Sequence, residues 1–240
     1  MQTVYQGLIW IHVVIGFVGL TAFWFPVFSR KGGKLHRQMG KVYVYCAYVV
    51  LATAGSSVLY QLFRFLGPER SIAEHPNSFA AYIFLGYLSL VTFLSVHHGF
   101  GVLRFKGQPN AMSSPLRMGL AISAMVASAG VIAFALIFKP GNAIVLLALS
   151  PIGILGGWGI INYLRSTDLS PKEWMYEHIG SMLGGGIAFH TAFMVFGANR
   201  LMDLGLSGWQ QVIPWVLPSI IGIPASILWT RHYRLKFSNA

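Results

Sequence analysis

Acidic residues are nearly missing from this chain: 6 Asp and Glu stand against 17 Lys and Arg, and charged residues of both signs make up only 10% of 240 positions. A soluble domain carries about a quarter charged residues, so an ordinary water-facing surface is excluded. Cysteine is almost absent as well. The lone Cys46 falls in an apolar run, cannot close an intramolecular disulfide, and is expected to pack as a small apolar side chain. Lys, Asp and Glu are missing from the interior of every long apolar run. That excludes a lysine Schiff base to retinal and argues against a carboxylate relay for protons or sodium. There is no HExxH motif, no internal repeat and no low-complexity tract.

What is present is apolar length. Hydrophobic residues reach 55% and the mean hydropathy is +0.62. A helix needs about 20 apolar residues to cross a hydrocarbon core roughly 30 Å thick. Seven stretches qualify: Leu8 to Phe28, Val42 to Phe63, Phe79 to Leu103, Met118 to Phe138, Ala143 to Leu164, Ile179 to Ala198 and Val212 to Trp229. Only short links remain, so the expected fold is all-α: one polytopic transmembrane bundle spanning residues 1–240. The first stretch reads as a span rather than a cleaved leader, because Met1 to Gln6 carries no cation and Phe23-Trp24-Phe25-Pro26 offers no small-residue cleavage site.

Charge sets the expected orientation. With the N-terminus outside, the inner links hold Arg30, Lys31, Lys34, Arg37, Lys41, Arg104, Lys106, Arg117, Arg165, Lys172, Arg231, Arg234 and Lys236. The outer ones keep Arg64, Arg70, Lys139 and Arg200. This bias predicts a multi-pass protein of a bacterial inner membrane, C-terminus in the cytoplasm. The net charge of +11 then reflects orientation and contact with anionic headgroups rather than nucleic acid. Pro151, Pro214, Pro218 and Pro224 are expected to kink the fifth and seventh spans. Gly153 with Gly157, and Gly180 with Gly184, have the spacing of close helix contacts.

Histidine is the ionisable residue left inside the spans, and such groups mark function by default. His12 belongs near the outer end of span one and His190 in the outer half of span six. His97 and His98 belong at the inner end of span three, and His178 at the inner start of span six. Twelve residues separate His178 from His190, about 18 Å of helix. By depth, His12 is expected to meet His190, and His97 or His98 to meet His178, with His36 a further inner candidate. Two levels of histidine on different helices suit the axial ligands of a transmembrane di-haem b cytochrome. Such a protein would pass electrons across or within the membrane to or from a quinone or a redox partner subunit. Gly16, Gly19, Gly99, Gly101 and Gly184 to Gly186 sit where a porphyrin would need bare backbone, and Met182 could offer a thioether but more often packs.

Two other readings compete. His36, His98 and His178, with Glu177, Glu173 and Asp168 near in sequence, could hold zinc for a membrane hydrolase or a metal transporter. Histidines that only hydrogen-bond between helices would instead suit a non-catalytic subunit of a membrane complex. Asn162 and Thr191 read as helix-to-helix glue. The span-end tyrosines and tryptophans read as interfacial belts.

The run Lys31-Gly32-Gly33-Lys34-Leu35-His36-Arg37-Gln38-Met39-Gly40-Lys41-Val42-Tyr43 resembles the LHRxxGRxY signature of bacterial membrane proteins grouped as domain of unknown function 2306, with Lys41 where arginine is commoner. His12 is similar to a histidine of their first helix. Trp174-Met175-Tyr176-Glu177-His178, with Met182, resembles their later helix start. The resemblance implies a membrane protein and draws attention to His12, His36 and His178, without implying an activity.

Overall fold

In the computed structural model the described residues are 2–65, 71–198, 201–202 and 205–238. Among them every regular element is helical: α1 (Gln2–Phe28), α2 (Lys34–Arg64), α3 (Pro76–Gly101), α4 (Pro109–Met112), α5 (Pro115–Phe138), α6 (Ala143–Leu149), α7 (Pro151–Arg165), α8 (Glu173–Ala192) and α9 (Ile213–Ser238). A π-helical turn, Phe193–Ala198, continues α8, and a 3-10 turn, Gly208–Val212, leads into α9. Seven stretches are long and apolar enough to cross a membrane: Gln6–Phe28, Lys34–Arg64, Pro76–Gly101, Pro115–Phe138, Ala143–Arg165, Glu173–Ala198 and Gly208–Phe237. Large apolar side chains point outward along them, with Trp10 67%, Ile144 78% and Leu155 70% exposed. That outward apolar surface suits lipid and supports a multi-pass membrane protein.

The spans match the sequence expectation in number and exceed it in length. α2 begins at Lys34 rather than Val42, because Gly32, at φ +75°, turns the chain and the helix winds at once through the basic run. α8 begins at Glu173, so His178 lies a full turn inside it. α9 runs past Trp229 to Ser238, with Pro214 at its second position and only Pro218 and Pro224 within its body. Of the cations assigned to the outer links, Arg70 and Arg200 lie outside the described residues.

The chain divides into two compact units, Met1–Phe93 with Ala124–Ile154, and Leu94–Ser123 with Leu155–Ala240; the division falls inside α3, α5 and α7.

In the first unit α1 packs on α2. The buried side of α2 is a helical stripe of Tyr43, Val44, Cys46, Ala47, Val50, Thr53 and Val58, which places Cys46 as an apolar packing residue. The turn between the two helices is clamped. Lys31 Nζ donates to the carbonyls of Pro26 at 2.8 Å and Val27 at 2.6 Å, capping α1 with a cation. Burial there pushes the Lys31 ammonium below the usual lysine range.

Pro151 interrupts the fifth span. It starts α7, Ser150 separates α6 from α7, and the carbonyls at the break need new partners. Tyr87 supplies one: its hydroxyl lies 2.7 Å from the Ser150 carbonyl and 3.2 Å from that of Leu149. It also accepts the Gly153 N–H at 2.9 Å. Ser128 donates to the Ser150 carbonyl as well. Gly153 is required here, since a Cβ would stand 2.9 Å from the Tyr87 ring and 3.0 Å from the Ala124 carbonyl oxygen.

In the second unit α9 packs on α8, closely enough that a Cβ at Gly222 would collide with Ile187 Cγ1. At the other end Glu173 pairs with Arg234, whose guanidinium lies 4.3 Å from the centre of the Tyr176 ring.

Tyr87→Phe should strand the break and lower stability by about 1–3 kcal/mol, the cost of unmade buried hydrogen bonds. Gly153→Ala should cost at least as much, because the obstructing oxygen is backbone. Unfolding in mixed micelles with increasing denaturing detergent measures both.

Candidate functional site

The polar centre of the second unit forms where α3, α7 and α8 bring side chains together. His98 is 2% exposed and Tyr163 5%. Their rings meet edge to face, centroids 5.4 Å apart at 88°. His98 Nε2 is 3.6 Å from Glu177 Oε1, too long for a hydrogen bond, and this buried nitrogen has no hydrogen-bond partner among the described residues. Glu173 and Glu177 both act electrostatically on Tyr163, and Arg117 and His98 on His97. Of the adjacent histidines, His98 is the one enclosed; His97 is half-buried.

His178 is held from across the helix contact. Its Nδ1 lies 2.7 Å from the Gly99 carbonyl oxygen. A carbonyl only accepts, so Nδ1 carries the proton and the lone pair resides on Nε2. Gly99 makes the contact possible: a Cβ would stand 2.8 Å from Ser181 Cβ and 3.2 Å from both Met182 N and Met182 Sδ. A Cβ at Gly101 would stand 2.7 Å from Arg117 Nη1 and 2.9 Å from Met112 Cε. Both glycines, expected beside a porphyrin, lie at tight contacts with neighbouring side chains. Met182 lies at the Gly99 contact. Gly184 makes an ordinary approach to α3, with its Cβ position 3.6 Å from Ser95 Oγ, whereas Gly180 faces open space.

Three more histidines share the tautomer of His178. His190 Nδ1 lies 2.7 Å from the Gly186 carbonyl one turn back. In the first unit His12 Nδ1 is 3.0 Å from Thr53 Oγ1. Thr53 spends its own proton on the carbonyls of Val49 or Val50, at 3.0 and 2.9 Å, so its oxygen accepts from His12. In the same unit His36 Nδ1 donates to the Pro26 carbonyl at 3.2 Å, and Gly40, one turn on, sets its Cβ position 3.7 Å from Pro26 Cγ. His36 thereby fastens the turn between α1 and α2.

His97, His98, Glu177 and His178 are gathered in one unit; His12 and His36 belong to the other. Among the described residues no three His, Cys, Asp or Glu side chains come together as a group able to hold a metal ion. Thr191 bonds within its own helix, to Ile187 at 2.9 Å, and Asn162 is exposed.

Sequence reasoning missed Thr53, Tyr163 and the Gly99 carbonyl. The first two were visible as polar groups in apolar runs; a main-chain acceptor leaves no signal in side-chain chemistry.

Gly99→Ala should separate α3 from α8, break the His178 bond and destabilise the protein by about 1–3 kcal/mol. Adding Ser181→Gly removes the nearest obstruction and should recover part of the loss. Detergent-unfolding midpoints of the single and double variants test this, and equal midpoints would refute the contact.

No family model, no curated protein and no solved structure matches this chain.

Proposed function

We propose that this chain is a membrane-embedded b-type cytochrome carrying two haems and exchanging electrons with a quinone or a redox partner subunit, oriented with its N-terminus outside and C-terminus in the cytoplasm of a bacterial inner membrane. The observation that carries the reading is the shared tautomer of His12, His178 and His190. Each gives its Nδ1 proton to a fixed oxygen at 2.7 to 3.0 Å and so carries its lone pair on Nε2. An imidazole anchored through one nitrogen is the form that ligates iron, the outer hydrogen bond fixing ring orientation and raising ligand basicity.

Helix α8 supports two ligand levels. It runs unbroken from Glu173 to Ala192, so His178 and His190 are separated by about 18 Å of rigid helix. Haem, when bound, supplies a one-electron couple whose potential follows its axial ligands and surroundings. The chain's own contribution is orientation and exclusion of water. Gly99, Gly186 and Thr53 hold the three rings, and an apolar exterior keeps charge away from their surroundings.

The donor set does not fit iron equally everywhere. His98 is enclosed by Tyr163 and directed at Glu177, which suits an internal hydrogen-bonding or ion-pairing role better than ligation. His97 is the less enclosed of the pair. For zinc, the set His36, His98 and His178 finds no supporting cluster among the described residues.

A reduced-minus-oxidised visible spectrum of protein purified after expression with ample haem should show sharp b-type bands. His178→Ala and His190→Ala should each remove one haem's share of the absorbance while the folded protein stays in the membrane. Unchanged spectra in both variants, or a folded but colourless wild type, would overturn the proposal. His178→Ala should lose absorbance without the packing loss of Gly99→Ala, because it leaves the α3 and α8 backbones in contact.

A further inference from the structure

The basic run that opens α2 is sorted by the structure into two classes of residue. His36, Gly40 and Tyr43 turn inward: His36 bonds the Pro26 carbonyl, Gly40 faces Pro26 and Tyr43 is 1% exposed. Lys31 is taken up by the carbonyl end of α1. Arg30, Lys34, Arg37 and Lys41 remain, all exposed or half-exposed, and Lys34, Arg37 and Lys41 recur at the three-and-four spacing that places them on one face of α2.

These four have no ion pair among the described residues, where the ion pairs found are His98 with Glu177 and Arg234 with Glu173. Nor does the sequence offer one nearby, since no Asp or Glu precedes Glu69. Some cations of the second unit behave differently. Arg234 pairs with Glu173, and Lys106 and Lys172 lie 4.6 and 5.3 Å from the ring centres of Trp174 and Phe237. The N-terminus of α2 adds to the imbalance. Its cap residue Gly33 makes no side-chain capping bond and no acid occupies its first turn, so the positive end of the helix dipole is uncompensated by the chain.

Beside the cations lies exposed apolar surface of a particular kind. Trp24 and Phe28 stack at 5.5 Å and 14° and are 43% and 79% exposed, and Leu35, within the basic run itself, is 48% exposed. An anionic headgroup and the acyl chain attached to it are what one basic face and one apolar shelf, joined at a helix turn, are suited to hold together.

We propose that the α1–α2 turn is a binding seat for one anionic phospholipid, its phosphate held by Arg30, Lys34, Arg37 and Lys41 and its acyl chain lying along Trp24 and Phe28. The seat is independent of any cofactor. The helical winding of α2 fixes the spacing of its three cations.

The test is native mass spectrometry of protein released from vesicles containing equal parts phosphatidylglycerol and phosphatidylcholine. Wild type should retain a phosphatidylglycerol adduct. Lys34→Gln/Arg37→Gln/Lys41→Gln should retain it roughly a hundredfold less, as three lost lipid contacts imply. Arg165→Gln/Arg231→Gln/Lys236→Gln removes the same charge elsewhere and should leave retention unchanged, while Trp24→Ala/Phe28→Ala should weaken it without altering net charge. Equal loss in both triple variants would show a diffuse surface effect, and displacement of the adduct by inorganic phosphate with no lipid preference would show a free-anion site; either overturns the proposal. A matching detergent-unfolding midpoint for each variant confirms that the fold persists.

Discussion

A backbone in hydrocarbon has no water to fall back on, and this structure is organised around that demand. Where the α6–α7 line is cut by Pro151, the carbonyls at the cut are met by Tyr87 and Ser128. Where α1 ends, Lys31 and His36 reach back to Pro26 and Val27. The polar side chains of the spans are accordingly spent first on main-chain oxygens. His178 and His190 follow the same rule, each bonding a glycine carbonyl.

That economy links the fold to the proposed chemistry. A histidine held to a main-chain oxygen through Nδ1 is both a structural tie and a ligand prepared at its other nitrogen. The bond that satisfies the backbone also orients the ring. Glycine has a corresponding double effect: Gly99 brings α3 against Ser181 and Met182, and the same approach sets its carbonyl within reach of His178.

Much of this architecture is legible in the residues themselves. Seven apolar runs give seven spans because hydrophobic length is the dominant signal in lipid. Helix ends are less so: the basic run before Val42, the stretch from Glu173 to His178 and the residues beyond Trp229 are polar, and of these starts only that of α2 is marked by a glycine turn, at Gly32. The histidines stand out as ionisable groups among apolar neighbours. Their partners do not, because Thr53 and Tyr163 are chosen by helix rotation and the Gly99 and Gly186 acceptors by backbone position. Gly99 and Gly101 illustrate the limit well. A bare backbone beside a flat cofactor and a bare backbone beside another helix read alike in sequence.

The π-helical turn begins at Phe193, beyond His190, so the stretch carrying both histidines of α8 keeps uninterrupted α winding. Twelve residues at about 100° each leave their side chains roughly 120° apart around the axis. The two imidazoles therefore leave α8 in different directions as well as at different depths. Each one meets different neighbouring surfaces, so the two ends of α8 are free to be tuned separately.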